Sequence, residues 1–338
     1  MEGRPLFRRI LTVLIVLVLI LGAGWLALRR GDIPYASLEA IYTSTESEFT
    51  TLSDGVKLHY RDEGNADGPV LVLVHGFSAS LHTWEPWVAR LEDDYRIISL
   101  DLPGHGLTRT PDLAKMHPGH FGDVIEEVTQ DLNIAAFTLV GHSMGGATAW
   151  QYALRYPDRL QGLVLVAASG WRQNSEDRNP PLIFQLLGNP VARAILRDLD
   201  TTRLTRDGLR NSFVDQSIVT EEMVTRYVDL SRAPGHRDAI IELTTGRNGR
   251  VEATDERLAP LSDVPTLILQ GDNDNLVPLS SGELFNTAIT GSELKIYTDV
   301  GHVPQEEVAS QSVADLEAFL NSRVYLPVED GPDDAAED

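Results

Sequence analysis

Leu139-Val-Gly-His-Ser-Met-Gly-Gly-Ala147 holds a serine between two glycines, with Gly141, Ser143 and Gly145 spaced as G-x-S-x-G. An apolar run precedes it and a helical pattern follows. A strand that turns into a helix at one residue crowds its own backbone. Glycines on either side remove the Cβ atoms that would collide. The turn is expected to push the serine oxygen into a site, at a helix N-terminus whose free N–H groups favour developing negative charge. Such a serine attacks carbonyls only with a general base to take its proton. Of nine histidines, His302 stands out. It lies in Asp-Val-Gly-His-Val-Pro after the last predicted strand, Leu294–Tyr297, and Gly301 frees the loop to reach inward. The imidazole needs an anionic partner to fix its tautomer. Leu269-Gln-Gly-Asp-Asn-Asp-Asn-Leu-Val-Pro278 offers two, Asp272 and Asp274, at the end of a strand.

The elements that must position these residues are legible. Val70–Val74, Arg96–Leu100, Phe137–Val140, Leu163–Val166 and Thr266–Leu269 are largely continuous apolar runs. Strands apolar on both faces belong to a parallel sheet covered by helices. Helical patterns at Trp84–Glu92, Phe121–Leu132 and Gly145–Tyr156 alternate with them, which predicts an α/β fold, a mostly parallel central sheet flanked by helices. Glu48–Tyr60 alternates around Asp54-Gly55 and predicts a β-hairpin. The alternation stops between Trp171 and Asp255. There Val191–Leu199, Arg206–Gln216, Glu221–Leu230 and His236–Thr244 read as successive helices. The expected organisation is a core over 49–170 and 256–325, with a helical cap inserted at 171–255.

Three runs resemble the α/β-hydrolase superfamily, in particular its capped bacterial esterase, lipase and carbon–carbon hydrolase branch. Gly141–Gly145 is similar to that family's nucleophile elbow. Val74-His-Gly-Phe77 resembles its His-Gly oxyanion motif, and Asp101-Leu-Pro-Gly-His-Gly106 resembles the loop after its next strand. The similarity covers roughly Phe49 to Arg323. It implies the order Ser143, then an acid, then His302. Its Gly, two residues, Asp, apolar-Pro pattern lands on Asp274, with Asp272 the alternative. It also implies an oxyanion hole from the backbone N–H groups of Met144 and Phe77. His75, His105, His142 and the Asp101 loop then read as structural. Trp84, Trp87 and Trp150 read as core, whereas Trp171 opens the cap. The implied reaction is ester hydrolysis through an acyl-enzyme, with no cofactor. No cluster has metal-ligand spacing. Ser143 argues against the dehalogenase and epoxide hydrolase branches, which place Asp at the elbow. Carbon–carbon hydrolases, amidases, haloperoxidase-like enzymes and a transferase using an alcohol acceptor keep the serine. A non-catalytic binding protein on this fold is the alternative of another class.

The N-terminus departs from the average. Ile10–Leu28 is 19 residues with no charge and only Thr12 as a polar side chain. As a helix it spans roughly 28 Å, close to the hydrocarbon thickness of a bilayer. Leu26 and Leu28 spoil a small-x-small cleavage site, so residues 1–30 read as an uncleaved signal anchor rather than a removed signal peptide. Arg4, Arg8 and Arg9 precede the run and Arg29 and Arg30 follow it, which leans toward a catalytic domain on the extracytoplasmic side. An anchored esterase implies an apolar small-molecule ester as partner. Residues 31–48 read as a polar linker. Residues 326–338 read as a disordered acidic tail. The net charge of −22 disfavours nucleic acid as a partner. With no cysteine, disulfides and thiolate metal sites are excluded.

Overall fold

A computed structural model describes residues 3–171, 189, 192–193, 196–245, 249 and 251–325. The acidic tail lies outside the described residues, as does part of the helix expected at Val191–Leu199. The helices are α1 (Gly3–Leu28), α2 (Tyr35–Tyr42), α3 (Glu85–Leu91), α4 (Pro118–Asp131), α5 (Met144–Arg155), α6 (Thr202–Ser212), α7 (Glu221–Ser231), α8 (His236–Thr245), α9 (Asp255–Leu258), α10 (Leu279–Ala288), α11 (Pro304–Glu307) and α12 (Ala309–Phe319). The strands are β1 (Ser47–Thr51), β2 (Lys57–Gly64), β3 (Val70–Val74), β4 (Arg96–Leu100), β5 (Phe137–His142), β6 (Leu160–Val166), β7 (Thr266–Gly271) and β8 (Glu293–Tyr297).

The eight strands form one sheet in the order β1-β2-β4-β3-β5-β6-β7-β8. The β1–β2 hairpin and the β2–β4 pair are antiparallel and every other pair is parallel. Gly55 takes φ +86° in the hairpin turn, a conformation that favours glycine. The central strands are apolar on both faces because each face carries its own helix layer. One layer packs Phe121, Trp150, Tyr152 and Phe285 against one face, and the other packs Trp84, Trp87, Leu316 and Phe319 against the opposite face. Trp84, Trp87 and Trp150 are thus core residues.

Helices α6, α7 and α8 lie between β6 and β7, where the cap is expected, and α6, α7 and Phe213 share a small core of Leu209, Phe213, Met223, Val224 and Val228 with Val303. Helix α6 starts at Thr202, four residues before the expected helix.

Residues 31–48 were expected as a linker without a period. Instead they contain α2, and this segment packs on α7 and α8. Leu38 is fully buried with Leu107, Leu230 and Ala233. The Tyr42 hydroxyl donates to Asp229 Oδ2 at 3.0 Å, and Tyr35 meets the His236 ring nitrogen at 3.1 Å. The end of α1 is fastened the same way. Arg29 bridges Leu199, the Arg30 N–H donates to the Asp198 carbonyl at 2.7 Å, and the Asp200 N–H donates to the Leu28 carbonyl at 2.9 Å. Arg29 pairs with Asp198 and Arg30 with Asp200, both at 3.0 Å. Arg237 of α8 donates to the Arg30 carbonyl at 2.8 Å and pairs with Asp32 at 2.5 Å.

Candidate active site

Ser143 ends β5 and caps α5 with φ 53° and ψ −112°, a strained backbone for a residue that carries a Cβ. The surroundings over-determine it. Its N–H donates to the Val166 carbonyl at 2.9 Å, and its own carbonyl accepts from the Ala147 N–H, the Ser169 N–H and the Ser169 hydroxyl at 3.0 to 3.1 Å. The flanking glycines are required by contact. A Cβ at Gly141 would lie 2.3 Å from the Gly145 carbonyl oxygen, and one at Gly145 would lie 2.3 Å from that of Val74.

His302 and Asp274 come together from the loops after β8 and β7. His302 Nδ1 lies 2.7 Å from Asp274 Oδ2. The other carboxylate oxygen accepts the N–H groups of Leu276 (2.7 Å) and Val277 (2.9 Å), and Gln270 Nε2 donates to Oδ2 at 3.1 Å. Asp272 turns elsewhere: its Oδ1 accepts the Asp299 N–H at 2.8 Å. Of the two carboxylates left open by the residues alone, Asp274 meets the imidazole.

Ser143 sits beside this pair through its neighbour. The His142 ring lies 4.8 Å from the His302 ring, centre to centre, and His142 Nε2 donates to the His302 carbonyl at 2.8 Å. Burial, and then the nearby His302, hold His142 well below the usual imidazole range, so it stays neutral. Ser143 Oγ makes no hydrogen bond among the described residues.

The loop after β3 faces the elbow. A Cβ at Gly76 would lie 2.8 Å from His142 Nδ1 and 3.1 Å from Ser143 Cβ. Ser78 takes φ +59° and turns the loop back. Among the described residues, neither Phe77 nor Met144 donates its N–H to an acceptor. Two such donors at a helix N-terminus and a facing loop suit an oxyanion. His75 bonds the Gly76 carbonyl at 2.7 Å, and its other nitrogen accepts the Leu102 N–H at 3.0 Å. Burial holds His75 and His105 low, His105 at about 3.

Asp101 organises the adjacent loop. It accepts from the Leu81 and Leu107 N–H groups at 2.8 Å and meets His59 Nδ1 at 2.7 Å. Burial alone would raise its carboxyl, but the His59 hydrogen bond and neighbouring imidazoles override this and hold it below the usual carboxylate range.

Glu306 of α11, four residues after His302, is a further titratable group, and the motifs did not single it out. Thr83 Oγ1 donates to it at 2.5 Å. Burial pushes its carboxyl up to about 7, against the Thr83 bond and the Arg226 charge and with help from Glu85. A raised folded value means that its contribution to stability is full below the ordinary carboxylate range and is lost as pH rises through about 7. Glu306→Gln removes that titration. The melting temperature of the variant minus that of wild type is therefore expected to rise by a few degrees between pH 5 and pH 8, read by thermal denaturation. A difference that stays flat or falls contradicts it.

The alpha/beta hydrolase fold profile matches residues 69–309. A 2-hydroxy-6-oxononadienedioate/2-hydroxy-6-oxononatrienedioate hydrolase of Pseudomonas sp. is 28% identical over 287 residues, covering 81% of this chain and 96% of that one. Lipase 3 of a Moraxella sp. is 26% identical over 295 residues, 81% of this chain and 84% of that one. The crystal structure of a membrane phospholipase A, described as a bacterial virulence factor, superposes with a TM-score of 0.69 at 24% identity, covering 93% of this chain and 98% of that one.

Proposed function

We propose that this chain, which belongs to the alpha/beta hydrolase family, hydrolyses carboxylic esters through an acyl-enzyme on Ser143. The observation that carries the reading is the Asp274–His302 pair, 2.7 Å apart, with the His302 ring 4.8 Å from that of His142, the neighbour of the strained serine. Ser143 Oγ attacks the carbonyl carbon and His302 Nε2 takes its proton. Asp274 holds the imidazolium, and the Phe77 and Met144 N–H groups receive the charge on oxygen. Collapse breaks the C–O bond, and the leaving alcohol takes the proton from His302. Water, deprotonated by His302, then attacks the acyl carbon; collapse breaks the bond to Ser143 Oγ, which takes that proton back from His302 as the acid leaves. The steps use no cofactor.

The reading includes a membrane. Arg8–Leu28 has a mean hydropathy of 2.8, and Ile10 to Leu21 present bare apolar side chains, with Val13 66% exposed. A face that apolar on every side calls for lipid. Arg29 and Arg30 are paired with aspartates, whereas Arg8 and Arg9 ahead of the apolar run have no ion pair among the described residues, which favours an extracytoplasmic catalytic domain. The match to the membrane phospholipase A, at 93% of this chain, extends beyond the hydrolase domain into the N-terminal segment, as a likeness of fold. With the anchor fastened to the cap, the favoured substrates are apolar esters drawn from the bilayer.

A panel of p-nitrophenyl esters tests this. Burying two or three added methylenes at about 0.8 kcal/mol each raises kcat/KM about tenfold or more from butyrate to laurate. A flat profile removes the apolar substrate and keeps the esterase. The second reading is carbon–carbon hydrolysis, favoured by the relative that is 28% identical over 96% of its length. Turnover of a vinylogous diketone with no turnover of any ester establishes it. Turnover of neither, with no labelling of Ser143, leaves a binding protein.

A further inference from the structure

The loop that carries His302 meets the cap at three consecutive residues, at Gly301 through Glu307 of α11. The Gly301 N–H donates to Glu307 Oε2 at 2.7 Å, while Glu307 Oε1 accepts the N–H groups of Val214 (2.8 Å) and Asp215 (2.7 Å), just past the end of α6. The His302 N–H donates to the Ser212 carbonyl at 2.7 Å. The Val303 side chain is buried in the cap's own core, against Leu209, Phe213 and Val224. The fit is close, since a Cβ at Gly301 would lie 2.4 Å from the Ser212 carbonyl oxygen. Glu307 is itself fixed to the base loop, its N–H donating to the Val303 carbonyl at 2.9 Å.

We infer that Glu307 is a positioning residue that latches the cap segment 212–215 to the loop of His302, so that placing the cap and placing the base are one event. The requirement is for a carboxylate. Three N–H groups converge on two oxygens, so both oxygens act as acceptors. A glutamine keeps one acceptor oxygen and turns an NH₂ group toward an N–H. It can hold the cap or the base loop, but not both. The cap-side bonds are exposed, so their contribution to global stability is small. Their effect is on geometry, where displacement of the base by about 1 Å costs about a hundredfold in rate. A substrate that seats the cap thereby seats the imidazole, which couples binding to the chemical step.

The inference rests on His302 as the base, and the test separates the two. The full-length protein in detergent is treated with a fluorophosphonate ester. The rate of Ser143 phosphonylation is compared for wild type, E307Q, H302A and the double variant. E307Q is expected to lower that rate, and kcat for p-nitrophenyl butyrate per labelled site, about tenfold to a hundredfold, with KM within about threefold of wild type. In the H302A background, E307Q is expected to change nothing further. A merely structural glutamate lowers the labelled fraction and leaves the rate per site unchanged. That result, or an equal loss in both backgrounds, overturns the latch. An H302A protein as fast as wild type overturns the base instead. If E307Q is not recovered folded, amide hydrogen exchange on the wild-type protein decides. Residues 212–216 and 299–303 exchange at one common rate if latched, and independent rates overturn the inference.

Discussion

Ser143→Ala is expected to abolish fluorophosphonate labelling and to lower kcat by about 10⁴- to 10⁶-fold, leaving only what binding and the oxyanion donors supply. The hydroxyl is the single atom removed, and it makes no hydrogen bond among the described residues. Alanine meets the same strain at φ 53° as serine does, so the change in stability should stay within about 1 kcal/mol. Mass spectrometry of the labelled protein and a melting curve of the variant check both halves. Labelling that survives the substitution, on any residue and at the wild-type rate, would remove Ser143 as nucleophile.

Asp274→Asn is expected to cost about 10³- to 10⁴-fold in kcat. The side chain serves two masters. Oδ1 accepts the N–H groups of Leu276 and Val277, and Oδ2 faces His302 Nδ1. In asparagine the carbonyl oxygen stays with the two loop donors, since an NH₂ group there would face N–H groups. The amide NH₂ then points at His302 Nδ1 and forces the ring proton onto Nε2, the nitrogen that must accept the serine proton. Asp272→Asn supplies the control, because Asp272 meets the Asp299 N–H and not the ring. Kinetics normalised to folded protein read the difference. Activity of Asp274→Asn within tenfold of wild type, with a larger loss in Asp272→Asn, would reverse the assignment.

Much of this arrangement is written in local sequence. Strands apolar on both faces announce a parallel sheet, and Gly-x-Ser-x-Gly between a strand and a helix announces the elbow. The choice between Asp272 and Asp274 is not local. The two sit two residues apart on one loop; residue type leaves both open, the family pattern favours Asp274, and their neighbours in space, Asp299 for one and His302 for the other, tell them apart. Helix α2 was invisible for a related reason. Leu38 is its one fully buried side chain, and its partners Leu107 and Leu230 are far away in sequence, so no apolar period forms. The Ser212 carbonyl that receives the His302 N–H leaves no trace in residue type. Glu307 reads as one acid among many in a strongly acidic chain until its three amide donors are seen.

The fastening of α1 to the segment that follows β6 moves the frontier between the apolar helix and the hydrolase domain. By hydropathy the apolar helix runs to Leu28 and its charged flank to Arg30, which invites a shortened version that begins at Gly31. Such a cut takes Arg30 from Asp200, takes Arg29 from Asp198, which keeps Arg197 and Arg237, and leaves Arg237 without the Arg30 carbonyl. Losing these bonds at that seam would loosen the cap from below, and through it the ring of His302. The two arginines therefore belong to the enzyme, and a shortened protein that is meant to report on catalysis has to keep them.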